Sequence, residues 1–389
     1  MIELPPPPHY FTAEHQAFRD TVRAFVEREL APHASEWDEA GTFPRELYVR
    51  ASQLGLLGLG YPEQYGGTPA DGFFRLIQAE EYARAGCGGL AASLNSHTIG
   101  LPPIVRWGTD ELKASIVPPV LSGELIAALA VTEPGGGSDV AALRLSARRD
   151  GDDFVLNGEK IFITSGMRAD VITLAVRTDP DSRGAHGISA LVVEGQPQGL
   201  SRTPLKKMGW WASDTAHLRF DDVRVPACNL LGAENQGFKV FMTNFNSERL
   251  YMSASAIGYA ETCLREALDW ARQRKTFGAP LSERQVIRHK LVDMSARIES
   301  ARSFVYDLTW RLEHDSGDPA QLVARICMAK ILATQAMQFC ADQAVQILGG
   351  MGFMRGTLSE RIYREVKVMM IGGGSEEIMK DLAARQLGI

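Results

Sequence analysis

The sequence predicts an α+β chain, mainly α, in three successive domains: an N-terminal helical domain, a middle β-barrel or sandwich, and a C-terminal four-helix bundle. Three observations predict it. Apolar residues recur at helical spacing from Thr12 to about residue 125. Between Phe154 and Val225 the pattern changes to short runs rich in β-branched residues, separated by turn signals. From Gly237 onward, amphipathic segments joined by short loops return. The limits drawn from these shifts are 1–125, 126–231 and 232–389.

Residues 5–8 are all proline and exclude a helix. Thr12 then offers an N-cap, Glu14 places a carboxylate in the first turn, and Phe18, Val22, Phe25 and Val26 follow at helical spacing. Leu54 to Tyr61 is punctuated by glycine. Phe73 to Ala85 and Gly88 to Ile104 read as helices, the second broken at Pro102-Pro103, and Asp110 to Leu121 as a further short one. Strands are expected at Phe154–Leu156, Ile161–Thr164, Val171–Val176, Ile188–Val193, His217–Phe220 and Val223–Val225. Arg149-Asp150-Gly151-Asp152 and Asn157-Gly158 read as the turns between them. The expected C-terminal helices are Gly237–Lys275, Ser282–His314, Pro319–Leu348 and Ser359–Val368, with a short last one at Glu376–Leu387 after the glycines at 372–374.

Composition bounds the function. The chain has 389 residues, 45% hydrophobic and 23% charged, with a formal charge of −6. That is an ordinary globular make-up without the basic footprint that nucleic acid requires. The five cysteines are scattered and none forms a CxxC pair, so neither a disulfide framework nor a metal site is expected. No apolar run is long enough to span a membrane, and the N-terminus lacks a secretory pattern, so a cytoplasmic location is expected.

The stretch that carries chemistry is Val131-Thr132-Glu133-Pro134-Gly135-Gly136-Gly137-Ser138-Asp139. Three glycines let a ligand approach the backbone, and Thr132 and Ser138 bring hydroxyls. Such a loop suits a planar, polar-edged cofactor or a phosphate; alone, it serves equally as a surface turn. Three further segments accompany it in order: Asn157-Gly158-Glu159-Lys160-Ile161-Phe162-Ile163-Thr164-Ser165-Gly166, Arg274-Lys275-Thr276-Phe277-Gly278, and Gln346-Ile347-Leu348-Gly349-Gly350. With these four motifs the chain, over about residues 10–387, resembles the acyl-CoA dehydrogenase family.

The resemblance implies FAD as cofactor, an acyl-CoA substrate, electron-transfer flavoprotein as electron acceptor, and a homotetramer. It places Leu129, Val131, Thr132, Gly137 and Ser138 along one edge of the flavin, and Phe162, Ile163 and Thr164 beside the ring. Many relatives carry Trp where this chain has Phe162; either aromatic can cover the flavin, although strand core is the plainer reading of a lone Phe. Arg274 and Gln285 are expected to reach the FAD of a neighbouring subunit, with the Arg fork suited to pyrophosphate, and Phe277, in the turn between them, is expected at the cofactor. Gln346, Gly349 and Gly350 are expected at the adenosine end, and Ser375 and Glu377 at FAD.

The family's reaction removes an α-proton and a β-hydride from an acyl thioester, which calls for a positioned carboxylate and stabilisation of the enolate oxygen. Where much of the family has its Glu near the C-terminus, this chain has Gly373 in Gly372-Gly373-Gly374-Ser375. Glu376 lies nearby in sequence. Glu248, in Asn246-Ser247-Glu248-Arg249-Leu250, stands where isovaleryl-CoA and long-chain acyl-CoA dehydrogenases carry the base in a Glu-Arg-Leu segment, and is the expected base. The Gly373 N–H is the expected donor to the thioester oxygen. Ser138, Asn246, Arg249, Tyr251 and Gly374 are expected at the substrate, and Met252 and Ser255 share the helix face of Glu248. A flavin oxidase or monooxygenase of the same architecture, or a non-catalytic acyl-CoA-binding homologue, are the alternative readings.

Overall fold

The structure, a computed structural model, describes residues 9–182, 184–242 and 244–389; the proline run at 5–8 lies outside them. The N-terminal part comprises α1 (Ala13–Phe25), α2 (Ala34–Ala40), α3 (Glu46–Gln53), α4 (Gly72–Ala83), α5 (Gly88–Leu94), α6 (His97–Gly100), α7 (Pro102–Trp107) and α8 (Asp110–Leu121). Thr12 caps α1 in a capping box whose third helical residue is His15: the His15 N–H donates to the Thr12 hydroxyl, and the Thr12 N–H to His15 Nδ1 at 3.0 Å. His15 Nε2 lies 3.0 Å from Asp71 Oδ1, and Asp71 caps α4 through the Phe73 N–H, so two helix starts are fixed together. Arg19 and Arg23 then hold Glu81 of α4.

The segment from Gly88 to Ile104 breaks earlier than its prolines suggest. The helix stops at Leu94, and Pro102-Pro103 start α7 at its first turn, where the missing N–H costs nothing.

The middle part is a curled seven-stranded sheet: β1 (Ala127–Ala130), β2 (Ser146–Asp150), β3 (Asp153–Ile163), β4 (Val171–Arg177), β5 (Ile188–Glu194), β6 (Leu200–Pro204) and β7 (Ala216–Pro226). The path is β1-β4-β2-β3-β7-β6, with β5 on β4. β4 pairs with β1 in parallel (Ala127↔Val171) and with β5 antiparallel (Ile172↔Val193). Both β4 and β5 are buried on both faces, which is why they read as unbroken apolar runs. Asn157-Gly158 is not a turn. It lies inside β3, at an irregularity in the pairing with β7, and a Cβ on Gly158 would sit 2.9 Å from the Leu145 backbone. The two expected strands at 217–225 are likewise one, β7. β1, β2 and β6 carry no β-branched run and take their conformation from their partners.

The C-terminal part is α9 (Gly237–Met242), α10 (Phe245–Gln273), α11 (Gln285–Glu313), α12 (Pro319–Leu348), α13 (Leu358–Ile371) and α14 (Glu376–Leu387). The single helix expected over Gly237–Lys275 is therefore two. The long helices α10, α11 and α12, with α13, bury one continuous core of small and aliphatic side chains. α4 joins that core against α10. The crossing is close because Gly258 of α10 faces Ala83 and the Glu80 backbone, where a Cβ would come within 2.8 Å of the Glu80 oxygen. Among the described residues, no helix is long and apolar enough to cross a membrane, and the five cysteines are unpaired.

Candidate active site

Glu248 sits in the first turn of α10, whose start is pinned by Asn244 donating to the Ile99 carbonyl at 3.1 Å. Its carboxyl is half-buried and lines a cavity enclosed by α4, α6, α10 and the Leu56–Leu59 segment. Burial pushes its pKa up to about 7, against the pull of Arg249 and Lys330. Glu376 behaves in the opposite way. Its carboxylate accepts from Lys380 at 2.6 Å and from Gln335 at 2.9 Å, and the Lys380 bond lowers its pKa. Of the two acids, Glu248 is the one poised to exchange a proton near neutral pH.

The loop 372–374 between α13 and α14 is held by two buried cations. Arg249 Nε donates to the Gly373 carbonyl at 3.0 Å. Lys330 Nζ donates to the Gly372 carbonyl at 2.5 Å and to the Gly374 carbonyl. Three consecutive carbonyls are thereby turned toward α10 and α12. The Gly373 N–H has no partner among the described residues. Gly373 has φ +67° and Gly374 φ +109°, conformations that suit glycine. A Cβ at Gly373 would sit 2.9 Å from Met252 Sδ. The space a side chain would occupy there is filled by Met252, one turn beyond Glu248, and is not left open for a substrate.

The expected substrate contacts take varied positions. Asn246 and Arg249 are bonded to each other at 3.1 Å, and Arg249 is buried against the glycine loop. Tyr251 lines the cavity with Glu248, and the Ser255 hydroxyl donates back to the Tyr251 carbonyl. Ser138 is exposed.

The glycine-rich loop is anchored from below. Lys160 of β3, fully buried, donates to Glu133 Oε1 at 2.8 Å and to the Val131 carbonyl at 2.9 Å. Glu133 also accepts the Arg144 and Leu145 N–H groups. The Ile161 N–H donates to the Thr132 carbonyl at 2.9 Å, bringing Thr132 beside Phe162, Ile163 and Thr164. Phe162 is not strand core: it has φ +63° and is 66% exposed, while Ile163 is buried. A bulky residue held at positive φ with its ring in solvent is costly, and such strain concentrates at functional sites. An exposed aromatic face flanked by the hydroxyls of Thr132 and Thr164 fits a flat, polar-edged ring system such as a flavin.

The remaining expected cofactor residues lie elsewhere on the surface. Arg274, Phe277 and Gln285 surround a small hairpin (Lys275–Thr276 with Ala279–Pro280), with Phe277 98% exposed. Gln346, Gly349 and Gly350 are exposed at the end of α12, and Glu377 on α14. Ser375 caps α14 through the Ile378 N–H. Among the described residues no hydrogen bond joins any of these to Thr132, Ser138 or Phe162.

Lys330, Lys160 and Arg75, which lines the cavity of Glu248, were not expected from the sequence. A signal existed for Lys330: it falls with Ile326, Cys327, Ala333, Thr334 and Met337 on the buried stripe of α12.

Comparison with known proteins covers all three parts. Residues 12–124 match the acyl-CoA dehydrogenase N-terminal domain, residues 128–223 the middle domain and residues 235–388 the C-terminal domain. The long-chain specific acyl-CoA dehydrogenase of Sus scrofa mitochondria is 38% identical over 384 residues, covering 97% of this chain and 87% of that protein. The crystal structure of acyl-CoA dehydrogenase from Geobacillus kaustophilus superimposes with a TM-score of 0.92 at 37% identity, covering 98% of this chain and 99% of that one. A glutaryl-CoA dehydrogenase from Mycobacterium smegmatis in complex with FADH2 superimposes with a TM-score of 0.91 at 26% identity, covering 98% and 96%.

Proposed function

The chain belongs to the acyl-CoA dehydrogenase family, FAD-dependent oxidoreductases acting on the CH–CH bond of an acyl-CoA, and from that premise we propose that Glu248 is the base with which it forms a trans-2-enoyl-CoA. The observation that carries this is the half-buried Glu248 carboxyl, lining a cavity and raised to about 7, whose neighbour Arg249 holds the glycine loop through the Gly373 carbonyl. Glu248 takes the α-proton onto its carboxylate oxygen. The Gly373 N–H, steadied by Arg249 and Lys330, donates to the thioester oxygen as negative charge builds there. When bound, FAD supplies the acceptor for the hydride that leaves the β-carbon, which balances the loss of two hydrogens.

Thr132, Ser138, Phe162 and Thr164 are the residues that would hold the flavin, with Leu129, Val131, Gly137 and Ile163 shaping their surroundings. Arg274 and Gln285 would reach the FAD of a neighbouring subunit in a homotetramer, Gln346, Gly349 and Gly350 would meet the adenosine end, and Phe277, Ser375 and Glu377 would also contact FAD. The exposed Phe277, Val286, Val292 and Phe353 of the C-terminal part support such a contact. Ser138, Asn246, Tyr251 and Gly374 would meet the acyl-CoA, with Arg249 acting through the loop. Electron-transfer flavoprotein is the proposed electron acceptor, and five unpaired cysteines support a cytoplasmic setting. The helices end at Leu121 and the first strand starts at Ala127, which supports domain limits of 1–125, 126–231 and 232–389.

The test is anaerobic mixing of the flavin-loaded protein with a series of acyl-CoAs while flavin absorbance is followed. Rapid bleaching by one class is the expected result. Glu248→Gln should keep the flavin and lose the bleaching; equal rates in the variant would remove Glu248 from the role.

A further inference from the structure

The three parts of the chain meet at Glu365 of α13. Its Oε2 accepts the N–H of Gly88, the first residue of α5, at 2.8 Å. The loop 209–213, between β6 and β7, closes the third side. The packing leaves no slack there. A Cβ on Gly88 would overlap Trp210 Nε1 and stand 2.9 Å from Glu365 Oε2, and one on Gly209 would stand 2.6 Å from the Arg364 carbonyl oxygen. Backbones this close shift together or separate.

Glu365 has no cation of its own. It is 1% exposed, and its Oε1 is buried without a hydrogen-bond partner among the described residues. A carboxylate oxygen of Asp38 in α2, one of Glu365 and Cys87 Sγ lie within 4.8 Å of one another. The guanidinium groups nearby serve other acceptors. Arg364 donates to Asp38 Oδ2 at 3.2 Å and to Glu360 Oε2 at 2.9 Å. Arg361 Nε stands 3.6 Å from Asp38 Oδ2, and its other nitrogens donate to the Gly86 carbonyl and the Ser35 hydroxyl. With two cations already on Asp38, the grouping has no place for a metal ion. The other titratable groups facing Glu365 are Lys207, which donates to the Ser213 carbonyl and the Thr215 hydroxyl, and Tyr259 of α10. Burial keeps Tyr259 and Cys87 protonated. One peptide N–H does not compensate a buried carboxylate that stands beside a second one. Glu365 therefore holds its proton at neutral pH, its pKa pushed up to about 8 by burial.

α13 links this junction to the candidate site. Glu266 of α10 fixes the start of α13 by accepting the Leu358 and Ser359 N–H groups. About two turns beyond Glu365 the helix ends at Gly372, whose N–H donates to the Val368 carbonyl at 2.7 Å, and Gly373 follows. On the other side, α5 leads into α6, where His97 and Thr98 line the cavity of Glu248. We propose that Glu365 is a proton-operated latch, a positioning residue that seats α13 on α5 and thereby sets the glycine loop, and that loss of its proton loosens both. Ionised, Glu365 and Asp38 repel each other in a closed site, and parting α13 from α5 lets water reach them.

The inference rests on the dehydrogenase reading for what the loop does, and can fail separately from it. Hydrogen exchange of the flavin-loaded protein is followed by mass spectrometry from neutral to alkaline pH, with protection corrected for the chemical exchange rate. Opening the junction returns Glu365 to the ordinary carboxylate range and so releases a proton. Protection of the segments holding Gly88 and Gly372 should therefore fall together, by up to about tenfold per pH unit as pH rises to about 8, and level off beyond it. Glu365→Gln keeps an acceptor for Gly88 and cannot ionise, so its protection should not change over that range. The ratio of its flavin-bleaching rate to the native rate should climb with pH over the same range, whereas a merely structural role would give a constant ratio. A constant ratio overturns the proposal, as does pH-dependent protection in Glu365→Gln, or loss at Gly88 with none at Gly372. Should Glu365→Gln not fold, infrared spectra of Glu248→Gln, which lacks the other raised carboxyl, test the proton directly. A protonated-carboxyl band that disappears as pH passes about 8 is expected, and no such band at neutral pH overturns the proposal. If protection behaves as expected but no acyl-CoA bleaches the flavin, the latch stands and the dehydrogenase reading falls.

Discussion

Replacing Lys330 by Met tests whether the glycine loop is a working part of the site. Lys330 is 1% exposed, and its ammonium joins α12 to the Gly372 and Gly374 carbonyls. Met keeps the length and removes both bonds. Hydrogen bonds to a charged group are each worth about 1.5–3 kcal/mol, part of which returns as the half-buried loop hydrates, so a net loss of about 2–4 kcal/mol is expected. In a chain of this size that lowers the melting temperature by only a few degrees. Turnover should suffer more, because loosening Gly373 weakens one oxyanion donor, with a loss of up to about 100-fold. A second effect separates this from simple destabilisation. Lys330 is one of two cations that hold down the pKa of Glu248. Without it the carboxyl climbs above about 7, and because the base works deprotonated, the rising limb of the pH–rate profile moves to higher pH. The assay is rapid-mixing flavin reduction from acid to mildly alkaline pH, with thermal melts alongside. Lys330→Arg, which keeps the cation, should hold the midpoint near that of the native protein. An unmoved midpoint in Lys330→Met with little change in rate would refute the reasoning.

Other perturbations follow from the same geometry. Glu248→Gln should lower the rate of flavin reduction by about 10²–10⁴, the usual worth of a general base, with the absorbance of bound flavin unchanged. Lys160→Met leaves Glu133 buried without its cation, at a cost of about 3–5 kcal/mol; the expected sign is loss of bound flavin on gel filtration and a lower melting temperature. Glu365 is buried, accepts the Gly88 N–H at 2.8 Å, and has its pKa pushed up to about 8 by burial. A carboxyl with a raised folded pKa binds more protons folded than unfolded, so stability falls as pH rises from the ordinary carboxylate range through about 8. Glu365→Gln should flatten that part of the melting-temperature profile. Gly373→Glu puts a side chain at positive φ and against Met252, so it should destabilise the protein by about 1–3 kcal/mol without supplying a working base to Glu248→Gln, as flavin-reduction assays of the double variant would show.

The reading of the sequence went furthest where local rules and tertiary demands agree. α8, α12 and α14 begin and end at the expected residues: Thr109 and Ser375 cap α8 and α14 through side-chain bonds, and Pro319 opens α12 in its first turn. β4 and β5 were legible because burial on both faces selects continuous β-branched runs. Asn157-Gly158 misled because the same dipeptide serves a hairpin and a bulge, and only the nearby Leu145 backbone decides between them. β1 is written in alanine and leucine, which carry no strand signal until Val171–Leu174 lies alongside. Among candidate-site residues, Glu248 and the 131–138 loop were visible as motifs. The cations that hold them in place, Lys160, Lys330 and Arg249, act on backbone carbonyls or buried acids far away in sequence. The helical stripe marks Lys330 as buried but does not say which carbonyls it holds.

The relation between Glu248 and Gly373 shows why a base can move within one fold. Two carboxylates set close together repel and raise each other's pKa. The chain resolves this sterically as well as electrically. Met252, four residues after Glu248, fills the space a side chain at 373 would need, so the helix that carries the proposed base also occupies that position. With no side chain at 373 the loop gains backbone freedom, and glycines on either side increase it. Arg249 and Lys330 restrain that freedom through the three carbonyls, while the Gly373 N–H has no partner among the described residues. Arg249 is the next residue after Glu248, so one stretch of α10 carries the proposed base, a cation that holds the glycine loop and the side chain that fills the space at 373.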